Sequence, residues 1–361
     1  MPALTTTCWL RPTSWTCPRG TRPSTASPSK SPPPEGSVSV REFDRDSTVD
    51  EVLDGVDLSG RVFVVTGSSS GLGEESVRGL ASRGAHVAMA ARDTGSNAEV
   101  AQRIRAAVPD AGLSLHQLDL ADLSSVAQFA EHAAGVLDRV DVLINNAGVM
   151  ACPEGRTADG FETQFGTNHL GHFALTVRLM PLLRAAQNPR VVTLSSGGHR
   201  ISDVDLDDPN FETTPYDAWV AYGRSKSANA HFAAELARRA GDGLLSFSVH
   251  PGAIVTRLGR HLTPELTETL MARRRASAAR QGGGSSGGMR FKSVEAGAAT
   301  QVWAATSADI SAHNGGYLAD CGTTAPGPGD RGYEPWIDNP ATAGRLWELS
   351  ESLVGLSLAD S

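Results

Sequence analysis

The chain has 361 residues, 40% of them hydrophobic, enough to bury a full-sized core in one large α/β domain with a tail. Its 32 basic residues against 40 acidic ones leave a net charge of −8, which argues against a surface built to grip nucleic acid or an anionic membrane. No stretch reaches the ~18 consecutive apolar residues of a membrane span. Cys8, Cys17, Cys152 and Cys321 are too scattered for a zinc site or a disulfide framework, which fits a reducing cytoplasm.

The first 37 residues are rich in Ser, Thr and Pro and lack the continuous apolar run of a secretory signal. Residues 1–45 read as a disordered tail. An Arg-rich transit-like peptide and a misassigned upstream start are the other readings of it. The domain proper is expected over residues 46–356. From Asp57 onward, short β-branched runs alternate with helical patterns, as in repeated β-α units around a parallel sheet. Seven strands are expected, at Arg61–Val65, His86–Ala90, Leu113–Leu118, Val140–Ile144, Arg190–Leu194, Leu245–Val249 and Gly316–Leu318, forming one doubly wound sheet. Runs such as Val62-Phe63-Val64-Val65 are apolar throughout, as a strand covered on both faces requires. A helix is expected over Leu262–Arg275, with Arg273, Arg274 and Arg275 read as a solvated face. Gln281 to Gly288 reads as a flexible loop by composition. The region about 256–291 is expected to cover the substrate, with Leu270 and Met271 either lining an apolar pocket or belonging to the core.

After the first strand comes Thr66-Gly67-Ser68-Ser69-Ser70-Gly71-Leu72-Gly73, followed by a helix with Val77, Leu80 and Ala81 on one face. Glycines at this point let the backbone turn sharply and approach a pyrophosphate, whose charge then sits at the helix N-terminus. The other reading is a tight turn with no ligand. The second strand ends Ala90-Ala91-Arg92, where an NAD site usually places a carboxylate on the ribose 2′-hydroxyl. Ala91 supplies none and Arg92 offers a guanidinium for a 2′-phosphate, which favours NADP(H) over NAD(H). Asp119, in Leu118-Asp119-Leu120, is placed either to reach the adenine amino group or to cap a helix; it and Leu120 are counted with the cofactor residues. In Asn145-Asn146-Ala147-Gly148, small residues and amides can line the adenosine ribose and stitch strands together, or form a plain turn.

Tyr222 and Lys226 stand four residues apart, on one face of any helix that contains them. A free tyrosine titrates near ~10, and a neighbouring cation is expected to lower that value toward a usable general acid or base. The fifth strand runs into Ser195-Ser196 at the carboxyl edge of the sheet, where doubly wound folds bind ligands. Ser196 can there hydrogen-bond the substrate oxygen that Tyr222 protonates.

Together with His250-Pro251-Gly252 and Thr256 after the sixth strand, these residues resemble the short-chain dehydrogenase/reductase family over about residues 57 to 355. The resemblance implies a single Rossmann-type domain and a tetrad carried by Asn168, Ser196, Tyr222 and Lys226. By that analogy Asn168 holds a water between Lys226 and bulk solvent, Lys226 also holds the nicotinamide ribose hydroxyls, and Thr256 contacts the carboxamide. Pro251 and Gly252 belong to the same cofactor set. The Tyr216–Tyr222 and Gly316–Cys321 segments are similar to the branch containing retinol dehydrogenases, WW-domain oxidoreductase and light-dependent protochlorophyllide reductase. The resemblance implies an NADP(H)-dependent oxidoreductase moving a hydride between the nicotinamide and a carbonyl or alcohol group of a hydrophobic small molecule. A non-catalytic NADP-binding sensor or scaffold is the competing reading, since a fold alone does not set function.

Overall fold

In a computed structural model, residues 42–280, 290–329 and 331–360 are described, with the side chains of 277–280 and 360 left aside. The tail assigned to residues 1–45 and the loop Gln281 to Gly288 fall largely or wholly outside those residues. Among the described residues ten strands form, β1 Val62–Thr66, β2 His86–Ala91, β3 Gly112–Gln117, β4 Val142–Asn145, β5 Arg190–Leu194, β6 Leu245–His250, β7 Ala253–Ile254, β8 Phe291–Lys292, β9 Tyr317–Ala319 and β10 Gly322–Thr323. The seven expected strands are present within two residues of their expected ends. The main sheet has eight, in the order β10-β9-β6-β5-β4-β1-β2-β3, and β7 pairs with β8 apart from it.

The eighth strand corrects the expected all-parallel, seven-stranded sheet. β10 returns antiparallel to β9 through Asp320 and Cys321, both at φ 51°. It is two residues long and begins with glycine, so it carries no apolar run from which a strand is read.

Period-two alternation distributes the sheet's side chains between two cores. Phe63, Val65, Val142, Ile144, Val192 and Leu194 face one cluster, packed by the helices Gly71–Ala81, Thr94–Ala107 and Val294–Thr306. Val64, Leu143 and Val191 face the other, under Leu123–Val136, Gly171–Arg178, Ala218–Ala240 and Pro340–Val354. Val77, Leu80 and Ala81 are buried, as their spacing indicates. The order reverses between β1 and β4, which opens a crevice at the carboxyl ends of the strands. Above it lies the helix Pro264–Arg280, begun by Pro264 and by Thr263, whose hydroxyl accepts from Leu266 N at 3.2 Å. Among the described residues no helix is long and apolar enough to cross a membrane.

Candidate active site

One cleft of about 1750 Å³ occupies that crevice. It is lined by Gly67, Ser69, Ser70, Gly71, Leu72 and Gly73 from the turn after β1, by Arg92 after β2, and by Asp119 and Leu120 after β3. Asn146, Ala147 and Gly148 follow from β4, Ser196 from β5, Pro251, Gly252 and Thr256 from β6, and Tyr222 and Lys226 from the helix Ala218–Ala240. Of the expected tetrad Asn168 alone does not line it, and Ser68 and Asn145 of the two cofactor motifs lie off it as well.

The glycine turn is built for close approach. A Cβ on Gly73 would stand 2.3 Å from the Gly67 carbonyl oxygen, and one on Gly67, at φ +68°, 2.9 Å from Ala147 Cα. Ser70 is the N-cap of the helix Gly71–Ala81 and makes no side-chain cap bond, leaving the first N–H groups directed at the cleft. The helix at Thr94 differs, since Asp93 accepts from Gly95 N and Ser96 N. This uncapped helix start, with a cradle that a side chain would fill, fits a pyrophosphate. Asn146 Nδ2 donates to the Thr66 carbonyl at 2.7 Å, and Asn145 Nδ2 reaches Thr176 Oγ1 at 3.2 Å and Thr193 Oγ1 at 3.3 Å, stitching β1, β4 and β5 together. Asp119 accepts from Ala121 N at 3.0 Å, and the following helix is capped by Asp122 instead.

Tyr222 and Lys226 project from adjacent turns of one helix into the floor of the cleft. Gly198 makes room for the phenol, because a Cβ there would lie 2.5 Å from the Tyr222 ring. The Ser196 hydroxyl accepts from Gly198 N at 3.0 Å and lies close enough to the phenol to favour its ionised form. Lys226 Nζ donates to the Leu194 carbonyl at 2.9 Å and lies 5.9 Å from the Tyr222 ring centroid.

The expected lowering of the tyrosine pKa is not found. Burial pushes Tyr222 up to about 12, outweighing the opposing effect of Ser196, and burial brings Lys226 down to about 7. Both shifts follow from withdrawing each charged form from water. At neutral pH the phenol is held as the protonated acid.

Asn168 sits in a single π-type turn, Gly166–Leu170, behind Gly148. Its Nδ2 donates to the Val149 carbonyl and to Ser225 Oγ, both at 2.9 Å, and its Oδ1 accepts from Val149 N at 2.8 Å. The amide thus clamps the chain leaving β4 to the Tyr222 helix.

The contacts of two polar side chains escaped the sequence reading, which held His250 only as part of a motif. His250 Nδ1 accepts from Gly197 N at 3.1 Å, joining the loop after β5 to the loop after β6. Lys292 Nζ pairs with Asp320 at 2.7 Å with both side chains nearly buried, and the lysine stem fills the space a Cβ on Gly252 would take. The rarity of lysine, found only at positions 30, 226 and 292, was the available signal.

The sequence model of the short chain dehydrogenase family matches residues 61–267. The chain is similar to retinol dehydrogenase 12 of Mus musculus, 37% identical over 83% of this chain and 88% of that one. It is similar also to a probable oxidoreductase of Streptomyces antibioticus, 40% identical over 81% of this chain and 97% of that one. The solved RhlG/NADP active-site complex of Pseudomonas aeruginosa superposes with a TM-score of 0.54, at 27% identity over 73% of this chain and 95% of that one. The chain belongs to the short-chain dehydrogenase family, on a branch similar to retinol dehydrogenases, and is an oxidoreductase of alcohol and carbonyl groups that uses a nicotinamide cofactor.

Proposed function

We propose that the cofactor is NADP(H) and that the enzyme interconverts a carbonyl and an alcohol on an apolar small molecule, with Tyr222 as the proton donor and acceptor. The observation that carries this reading is the meeting of Tyr222, Ser196 and Lys226 on the floor of the cleft that also holds the uncapped glycine turn. When bound, the nicotinamide supplies or takes up the hydride. The phenol, protonated at neutral pH, gives its proton to the oxygen that Ser196 positions; in the reverse direction it takes one back. Lys226 is placed to hold the nicotinamide ribose hydroxyls, and Thr256 the carboxamide. Asn168 acts by position. With both N–H groups of its side-chain amide taken, a water held for Lys226 rests on its main-chain carbonyl, one lone pair of which already accepts from His172 Nδ1 at 2.9 Å.

The preference for NADP(H) rests on Arg92 and on what surrounds it. Ala91 has no acid to hold a ribose 2′-hydroxyl, and the nearest carboxylate in sequence, Asp93, is engaged in capping its own helix. The NADP held in the solved complex of the Pseudomonas relative supports the same assignment. Met150, Ile201, Trp219, Leu266 and Leu270 gather around Tyr222 and favour an apolar substrate body. Of the region 256–291 expected to cover the substrate, we assign that role to the described part, 256–280; residues 281–289 lie outside the described residues.

The test is oxidation of NADPH, followed by absorbance, against a chemically diverse carbonyl panel, with Tyr222→Phe beside the wild type. The variant should bind NADPH and lose most of its turnover. An unaffected rate would refute the mechanism, and silence across the whole panel would favour the sensor reading.

A further inference from the structure

One peptide unit beside the reacting centre is gripped at both ends. The chain leaving β5 passes Ser196 and enters the short helix Gly197–Ile201, and the trans peptide between Ser196 and Gly197 carries its carbonyl and its N–H on opposite sides. The Ser196 carbonyl faces His199 Nδ1 at 2.6 Å, and Gly197 N donates to His250 Nδ1 at 3.1 Å. Two imidazoles, one from the turn itself and one from the end of β6, thus hold a single peptide plane.

Their partners leave each ring one tautomer. His199 Nδ1 meets a carbonyl and so carries the proton, and Nε2 is the bare nitrogen that accepts from Glu334 N at 3.1 Å. Tyr317 Oη, 3.2 Å from Nδ1, lies within reach of the same proton. In His250 the order is reversed. Its Nδ1 accepts from Gly197 N and, at 3.4 Å, from Gly252 N, so its proton sits on Nε2. Neither ring can take a second proton without setting an N–H against a backbone N–H. His199 is fully buried and stands off the cleft, and Arg200 bonds the Glu334 carboxylate at 3.1 Å, which keeps the outer partner of the ring in place.

The grip matters because of what it orients. Glycine on one side of the 196–197 peptide leaves its rotation unopposed by a Cβ. Gly198 N, one residue further on, donates to the Ser196 hydroxyl at 3.0 Å, and the same glycine leaves room for the Tyr222 ring. Rotation of that peptide would move the donor, and with it the hydroxyl and the wall of the phenol's slot.

We propose that His199 and His250 are positioning residues of the reaction: as neutral rings of opposite tautomer they fix the Ser196–Gly197 peptide and so aim the Ser196 hydroxyl at the oxygen that Tyr222 protonates. The inference rests on the proposed roles of Tyr222 and Ser196, and it adds to them what holds the serine.

Heteronuclear spectra of the ring nitrogens in the wild type near neutral pH should show the proton on Nδ1 in His199 and on Nε2 in His250. The opposite tautomer at either ring would overturn the inference whatever the activity. Turnover tests the consequence. The amide of Asn reaches the place of an imidazole Nδ1, and that of Gln the place of Nε2. His199→Asn therefore keeps the bond to Ser196 and gives up the one to Glu334, whereas His199→Gln does the converse, at a similar cost in Tm. With saturating NADPH and the carbonyl that the wild type reduces fastest, His199→Gln should lose turnover by about tenfold or more and His199→Asn by less than about threefold, with NADPH affinity within about twofold in both. In a Ser196→Ala background His199→Gln should cost less than about twofold more, since the hydroxyl it aims is gone. His250→Gln and His250→Asn should separate in the same way, and they carry the comparison if His199→Gln does not fold. Equal turnover losses in the Asn and Gln variants, or losses that simply add to that of Ser196→Ala, would make the two rings ordinary core residues and overturn the inference. A wild type silent with every carbonyl, or a Ser196→Ala variant as fast as the wild type, is a failure of the oxidoreductase reading itself and takes the inference with it.

Discussion

Thr66 Oγ1 lies 2.9 Å from His172 Nε2, and this contact sets the direction of the hydrogen bonds behind the glycine turn. His172 Nδ1 faces the Asn168 carbonyl at 2.9 Å and must carry the proton, so Nε2 is bare and Thr66 donates to it. The lone pairs of Thr66 then accept from Asn146 N at 2.9 Å and Ala147 N at 3.0 Å. Thr66→Val keeps the shape and removes all three partners from buried groups, and should cost about 3 kcal/mol of stability, while Thr66→Ser should cost less than about 1. Urea denaturation of the two variants checks this. Equal midpoints for Val and wild type would show that the chain of bonds contributes nothing.

Two glycines separate cofactor binding from chemistry. In Gly73→Ala the new Cβ meets the Gly67 carbonyl oxygen at 2.3 Å and Asn146 Nδ2 at 2.7 Å, so the turn itself must open. In Gly198→Ala it meets the Tyr222 ring at 2.5 Å and displaces the phenol from Ser196. The first variant should lose NADPH affinity by tenfold or more. The second should keep that affinity and lose turnover by a similar factor, since a small misplacement of a reacting group is enough to slow the chemistry. NADPH titration beside steady-state rates distinguishes the two, and parallel losses in both variants would contradict the division.

If the cofactor is NADP(H) as proposed, Arg92→Ala should raise the KM for NADPH about tenfold or more and leave that for NADH within about twofold, because the guanidinium's proposed partner is the 2′-phosphate, which NADH lacks. The two Michaelis constants, measured for wild type and variant at one fixed carbonyl concentration, decide it. An unchanged ratio between them would show that Arg92 does not contact the cofactor.

Local patterns carried most of the architecture into the sequence. Val62 to Val65 shows its burial on both faces in four consecutive letters, and the glycine turn and the Tyr222–Lys226 pair each lie within eight residues, where backbone geometry dictates the outcome. What depended on distant packing was not legible. The direction of the Tyr222 shift was misread because proximity of a cation is visible in a four-residue spacing, whereas burial is a property of the folded chain, and burial is the larger effect. The clamp role of Asn168 needs Val149 and Ser225 from other elements. Arg274, which lines the cleft, looked solvated because a polar helix face in sequence does not reveal which cleft it will overhang.

The last prediction concerns acid. His169, His172 and His199 are held down at about 3 and His250 at about 4, in each case chiefly by burial, whereas an unfolded histidine titrates near ~6.5. Above pH ~6.5 neither state binds these protons and they do not affect stability. As the pH falls below that value the unfolded chain takes them up and the folded chain does not, so stability drops until the folded values are reached. Each histidine contributes a slope of up to ~1.4 kcal/mol per pH unit. Glu162, whose carboxyl burial pushes up, works in the opposite sense with one proton. Calorimetric melting should therefore show a Tm nearly level from about pH 7 to 8 and a steep decline from about pH 6 to 4.5, and His250→Asn should make the decline shallower by roughly a quarter of the histidine contribution. A Tm independent of pH across that acid range would mean that these imidazoles accept protons in the folded protein, and so that the core around the glycine turn and the Ser196 loop is open to water.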